Sequence, residues 1–126
     1  MATKTIYLKL DGAKPNYQLQ WSYDNVTWAK VTATNPTTEV DSDDELDWDA
    51  DDSIGKIKIN FTKGNIIPNS GVTGNDTKKP KGKALKNLAK GLSDAYTIKV
   101  QPAGGGGLEE YDPKVSTPPP GDNIGL

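Results

Sequence analysis

Residues 41–52 read DSDDELDWDADD, with eight carboxylates in twelve positions. Taken at a period of two, the run sorts itself. Asp41, Asp43, Glu45, Asp47, Asp49 and Asp51 hold the odd positions, and Leu46, Trp48 and Ala50 hold the middle even ones. Successive side chains of a β-strand point to opposite faces, so a strand here carries apolar groups on one face and an unbroken row of acids on the other. Neighbours on that row stand roughly 6.6–7 Å apart, twice the rise per residue. Each adjacent repulsion is then about 0.6 kcal/mol in water and several-fold more where water is partly excluded. A wet face tolerates that; a covered face needs cations.

Two sources of cation follow from the sequence. The first is a hairpin in which residues 46–50 pair with 56–60 through a turn at Asp51 to Gly55. That pairing brings Lys56 and Lys58 beside the acids and sets Ile57 and Ile59 beside Trp48 and Leu46. The second is a bound divalent cation. Asp47, Asp49 and Asp51 resemble the D-x-D-x-D opening of an EF-hand calcium loop, and Ile54 falls at its eighth, usually apolar, position. Asp52, however, stands where that loop turns on glycine, and Lys58 stands where it places a bidentate Glu. With half the motif and no flanking helix, the EF-hand is rejected. A looser Ca²⁺ site built from Asp47, Asp49, Asp51 and Asp52 is the alternative, because Ca²⁺ accepts about six to eight oxygens in tolerant geometry. A docking patch for a basic partner comes third. The favoured reading is a solvated acidic face paired with lysines.

The same two-residue beat recurs along the chain. In TKTIYLKL (3–10), Ile6, Leu8 and Leu10 alternate as in a half-buried strand, which Gly12 and Pro15 end. YQLQWSYDNVTWAKV (17–31) predicts a β-hairpin. Tyr17, Leu19, Trp21 and Tyr23 share one face, and Asp24-Asn25 suits a two-residue turn with positive φ. In that register Tyr23 opposes Val26 and Trp21 opposes Trp28. SYDNVTW resembles the Asp-box turn of sialidase propellers, but it is one residue short and lacks the glycine, so nothing is carried across. SIGKIKINF (53–61) is a second clean strand, with Ile57, Ile59 and Phe61 inward. Residues 64–82 are a long connection rich in turn formers. KALKNLAKGL (83–92) places Leu85, Leu88 and Leu92 at helical spacing beside Ala84 and Ala89, which predicts a short amphipathic helix capping the core. AYTIKV (95–100) alternates again, AGGGG (103–107) reads as a flexible loop, and LEEYDPKV (108–115) as a last weak strand.

Six or seven short strands with one short helix describe an all-β fold. The expected architecture is an antiparallel β-sandwich, immunoglobulin-like or a similar Greek key, with a small β-barrel as the alternative. Residues 1–116 are expected to form one domain, and 117–126 a Pro/Gly-rich flexible tail.

Composition narrows the function. The 126 residues include no Cys, His or Arg, which removes the Ser-His-Asp triad, a Cys nucleophile, an ordinary zinc site and bidentate capture of phosphate or guanine. Fifteen lysines face 17 acids for a net charge of −2, a poor balance for gripping a nucleic acid backbone. A glycosidase-like carboxylate pair needs one acid in an apolar pocket, whereas an exposed ladder offers the reverse. MATKTIYLKL has no apolar run of signal-peptide length and nothing later could span a bilayer, so a cytoplasmic location is the default expectation. The sequons at Asn25, Asn60 and Asn75 would matter only in a secreted eukaryotic protein.

The expected function is therefore a non-enzymatic module for protein interaction or structure, working through exposed strand edges or the 64–82 loop. No catalytic residue and no cofactor other than Ca²⁺ is expected; a protein partner or self-association is, and neither nucleic acid nor membrane. The calcium-binding module is the first alternative. The second is a carbohydrate-binding module in which Tyr17 and Tyr23 stack on sugar rings while Trp21 and Trp28 belong to the core.

Overall fold

In the computed structural model, which describes residues 2–12 and 17–119, the alternating segments become strands. They are β1 (Thr3–Asp11), β2 (Gln18–Ser22), β3 (Ala29–Lys30), β4 (Thr37–Glu39), β5 (Glu45–Ala50), β6 (Ile54–Phe61), β7 (Val72–Thr73), β8 (Lys81–Lys83), β9 (Ser93–Pro102), β10 (Glu109–Tyr111) and β11 (Lys114–Ser116). One sheet runs β3-β2-β1-β5-β8-β7; the other runs β10-β9-β11-β4, with β6 along the far edge of β9. Neither sheet closes on itself, so the fold is an all-β sandwich and not the alternative barrel.

The sheets are mixed rather than purely antiparallel. β1 pairs in parallel with β5, and β11 with β4. The chain leaves the first sheet after β3, forms β4 in the second and returns as β5, so β5 arrives beside β1 running the same way.

The expected 46–50/56–60 hairpin does not form. β5 and β6 are consecutive but belong to opposite sheets, and Asp51–Ser53 is an arch between them. Leu46, Trp48 and Ala50 therefore meet Ile57, Ile59 and Phe61 across the core instead of beside them. Two alternating segments satisfy their apolar faces equally well either way, and the pattern alone does not choose. At the centre, the Trp48 ring lies 5.6 Å from Tyr96 and 6.2 Å from Phe61, with Phe61 and Tyr96 4.9 Å apart. Trp48 Nε1 donates to the Tyr96 hydroxyl at 3.3 Å, so the one polar handle of each ring is satisfied inside the core. Burial drives the Tyr96 hydroxyl well above the usual phenol range.

The core rings are thus Trp48, Phe61 and Tyr96, not the expected Trp21 and Trp28. Trp21 opposes Ala29, one position from the expected register. The cause is a wider turn: the Asp24 carboxylate accepts the N–H groups of Val26 and Thr27 and the Ser22 hydroxyl, each at 2.8 Å. Those bonds hold its pKa down at about 2. Asn25 takes the expected positive φ, at 62°. A one-residue slip turns a side chain to the other face. Trp28 accordingly lies outside the core with the Lys9 ammonium 4.3 Å above its ring, while Trp21 packs half-buried at the core's margin.

Nor is there a helix at 83–92. Lys83 ends β8, and Asn87 and Gly91 adopt positive φ in the irregular stretch that follows. Ten residues are too few for a self-sustaining helix. Gly82 is held in β8 opposite Leu46, where an added Cβ would stand 3.3 Å from the Trp48 ring and 3.0 Å from Ile67. Ala84 is buried, and Leu88 and Leu92 reach the core from the loop without helical geometry.

Residues 64–82 are less of a loop than expected, because they close one side of the sandwich. β7 extends the first sheet, and residues on either side of it seal the free edge of β6 in the second. Ile57 N–H donates to the Thr77 carbonyl and Asp76 N–H to the Ile57 carbonyl, both at 2.8 Å. Beyond them, side chains replace a strand. Asn75 accepts Ile59 N–H at 2.8 Å and donates to the Ile59 carbonyl at 3.3 Å; Asn69 does the same for Phe61 at 2.7 and 3.0 Å.

Two buried carboxylates pin other segments. Asp44 accepts the N–H groups of Ala2 and Asp41, both at 2.9 Å. Burial alone would raise its pKa, but those bonds and Lys4 hold it below the usual range. Asp94 accepts Lys63 and Gly64 N–H, also at 2.9 Å. At the start of the expected tail, Thr117 and Pro118 bond to Leu92 and Gly91; residues 120–126 lie outside the described residues. Among the described residues, no helix is long and apolar enough to cross a membrane.

The side-chain seal on β6 is testable. Asn69→Ala and Asn75→Ala each strand a backbone donor and acceptor, so each lowers stability by about 1–3 kcal/mol in urea unfolding. The double variant presents a bare edge and self-associates, which sedimentation will detect against a well-behaved wild type.

Candidate functional site

The opposite side of the sandwich is open. β2 reaches only as far as the Tyr7–Ser22 pair, so Thr3–Thr5 of β1 have β5 on one side and, among the described residues, no strand on the other. β4 is likewise an edge, paired with β11 alone. The backbone phase follows from bonds already made. Ala2 and Leu8 carbonyls face β5, so Thr3 and Thr5 turn their backbone groups toward the opening. The Pro36 carbonyl and Val40 N–H bond to β11, so Thr37 and Glu39 turn theirs toward it as well.

Between these edges lies a cavity of about 560 Å³ lined by Thr3, Lys4, Thr5, Tyr23, Thr37, Thr38 and Glu39. Lys4 spans it by donating to the Glu39 carbonyl. Tyr23, 48 % exposed, stands edge-on to Trp21 at 4.6 Å, and its hydroxyl shares a 2.8 Å hydrogen bond with Thr38. Walls of hydroxyls and of backbone groups that have, among the described residues, no strand to pair with suit an extended polypeptide, whose own N–H and C=O groups need partners.

The other sequence-predicted residues lie elsewhere. Asp47 and Asp49 stand on the outer face of β5 with Glu45, as the period-two reading requires. Their lysines come from the 64–82 segment and β8, not from Lys56 and Lys58. Lys81 lies 4.0 Å from both Glu45 and Asp47, Lys79 lies 4.0 Å from Asp49, and Lys78 lies 3.1 Å from Asp52. Asp51 is in the arch, accepting Ser53 N–H at 2.8 Å and the Ser53 hydroxyl, while that hydroxyl accepts Leu10 N–H. The four aspartates thus divide between strand face and arch. Among the described residues, no three acidic side chains gather closely enough to hold a metal ion. Tyr17 is half-buried against the core, whereas Tyr23 lines the opening.

Comparison with known proteins finds no family model that matches the chain and no curated protein with significant sequence similarity. The groove residues Thr3, Thr5, Thr37 and Glu39 were not anticipated from sequence. ATNPTT reads as a loop because of Asn35-Pro36, although Thr38 and Val40, both buried, continue the period of two into the acidic run.

Asp47 is the strained member of the acidic row. Partial burial, then a shared hydrogen bond with Glu45 and its charge, push the Asp47 carboxyl up to about 6. Its Oδ1 is buried with no hydrogen-bond partner among the described residues. Because the folded value lies above the model-peptide 3.8, the folded state holds the extra proton. The stabilisation is complete below that value and is lost as pH rises through about 6. Asp47→Asn is therefore expected to stabilise the protein by about 1 kcal/mol near pH 8, once screening at this half-open face is allowed for, and to change little near pH 4. Thermal melts at both pH values check the difference.

Proposed function

We propose that this chain is a non-enzymatic interaction module that accepts an extended segment of a partner protein as an added strand, between Thr3–Thr5 and Thr37–Glu39. The contrast between its two sides carries the reading. Along β6 every second residue from Ile57 to Phe61 has its outward backbone groups bonded to Thr77, Asp76, Asn75 or Asn69, whereas Thr3–Thr5 of β1 and the free side of β4 have, among the described residues, no strand beside them. Open edges promote aggregation, and proteins usually blunt them. An edge left open beside a sealed one is an edge with a use. Main-chain bonds would supply the affinity, and the Tyr23 ring and the Lys4–Glu39 bridge the selectivity.

Extended peptides selected from a displayed library provide the test. Binders should shift the amide resonances of residues 3–5, 23 and 37–39, and Thr5→Pro, which removes a donor facing the groove, should weaken them about tenfold. Binders that map elsewhere, or that ignore Thr5→Pro, sink the proposal. Calcium binding through Asp47, Asp49, Asp51 and Asp52 is the competing reading, and calorimetry separates the two. The strand-addition reading expects no heat and no shift in melting temperature at millimolar Ca²⁺.

A further inference from the structure

The outer face of the second sheet carries a second feature, independent of the groove. β6 and β9 place Lys58 directly opposite Lys99 on the solvent side. Residues opposed in this way have Cβ atoms roughly 4.5–5.5 Å apart, and like charges so placed are destabilising. The acid nearest in register, Glu110 opposite Lys99 on β10, stays beyond ion-pair distance and eases the repulsion only in part. Neither lysine forms an ion pair among the described residues, although the lysines at 78, 79 and 81 all do. Lys56 adds a third positive charge one position along the same face, opposite Gln101.

These lysines border a hollow of about 400 Å³ whose other walls are Asn60, Thr97 and Glu110. That volume lies within the range of small-molecule sites. The Asn60 amide makes no hydrogen bond among the described residues and is free to donate or accept. Thr97 already spends its proton on Asp112, 2.9 Å away, so its hydroxyl can only accept. Glu110, opposite Lys99 on β10, closes the far side with an acceptor. One end of the hollow is therefore cationic and the other seeks hydroxyl protons.

We propose that this hollow binds a phosphate or sulfate group carried on a hydroxylated scaffold, a sugar phosphate or sugar sulfate. The anionic group sits between Lys58 and Lys99, where it cancels their repulsion, and a ligand hydroxyl donates to Glu110 with Asn60 completing the contact. Paired lysines act here as point charges, a role that does not require the bidentate geometry of arginine.

Amide NMR titrations at constant ionic strength test it, with four probes: a hexose phosphate, a hexose sulfate, inorganic phosphate and the uncharged hexose. Saturable shifts at residues 58, 60, 97, 99 and 110 with a hexose ester are expected, weakened about tenfold by Lys58→Gln and again by Lys99→Gln. Comparing the two esters identifies which anion is held. Shifts that track ionic strength, or that spread equally over Lys78–Lys83, overturn the site. Inorganic phosphate binding as tightly as the hexose phosphate overturns the scaffold and its contact with Glu110. Lys58→Glu supplies a second readout: opposite Lys99 it replaces repulsion with attraction, so the variant should melt higher while losing the ester, and a lower melting temperature counts against a repelling pair.

Discussion

Everything in this molecule is arranged around Trp48. Its ring is wholly buried between the sheets, in contact with Phe61 and Tyr96 and with its nitrogen bonded to the tyrosine hydroxyl. The largest side chain in the core sits in the middle of the most acidic stretch of the chain. That is possible only because a strand sends alternate residues to opposite faces, so one tryptophan can be dry while the aspartates on either side of it are wet. Packing around it reaches far along the sequence. Gly82 lacks a side chain where the ring needs room, which lets residues 81–83 lie in a strand against it, while Leu88 and Leu92 reach the core from an irregular loop and Leu85 stays exposed.

Around this centre the two lateral openings of the sandwich are treated differently. On the β6 side, two asparagine side chains act as surrogate peptide groups and finish an edge that has no strand beside it among the described residues. A primary amide has one carbonyl and two N–H groups, so it matches the donor and acceptor of one exposed strand residue. On the β1/β4 side, hydroxyl-bearing residues and a lysine line an opening whose backbone groups have no strand to pair with among the described residues. The asymmetry of the seams, rather than any cluster of reactive groups, is what gives this fold a direction.

The charged faces follow a similar division. On the first sheet the acids of β5 are matched by lysines from β8 and the segment before it, at the outer limit of ion-pair distance, so mutual repulsion is eased without being cancelled and Asp47 holds its proton to about pH 6. On the second sheet Lys58 of β6 faces Lys99 of β9, with Glu110 beside Lys99 in register but, among the described residues, no ion pair to either lysine. Both arrangements cost folding energy, and both are surface features that the hydrophobic pattern does not require.

The local periodicity of the sequence was enough to establish the longer strands β1, β5, β6 and β9 and their faces, though not β4, β7 or β8. Ile6, Leu8 and Leu10, Leu46, Trp48 and Ala50, and Ile57, Ile59 and Phe61 all turn inward where a period of two puts them, because alternation is a property of the extended backbone and needs no partner. Partner choice was beyond it. Whether β5 turns back beside β6 or arches over to face it, whether Trp28 opposes Trp21 or slips to the outer face, and whether Leu88 and Leu92 lie on a helix or a loop are decided by competition among distant segments. Each choice depended on a contact invisible in a local window: the Asp24 carboxylate gathering three bonds in its turn, Gly82 meeting Trp48, Asn69 and Asn75 reaching β6. A one-dimensional pattern says which face of a segment is dry, but which neighbour dries it is settled only when the chain has folded back on itself.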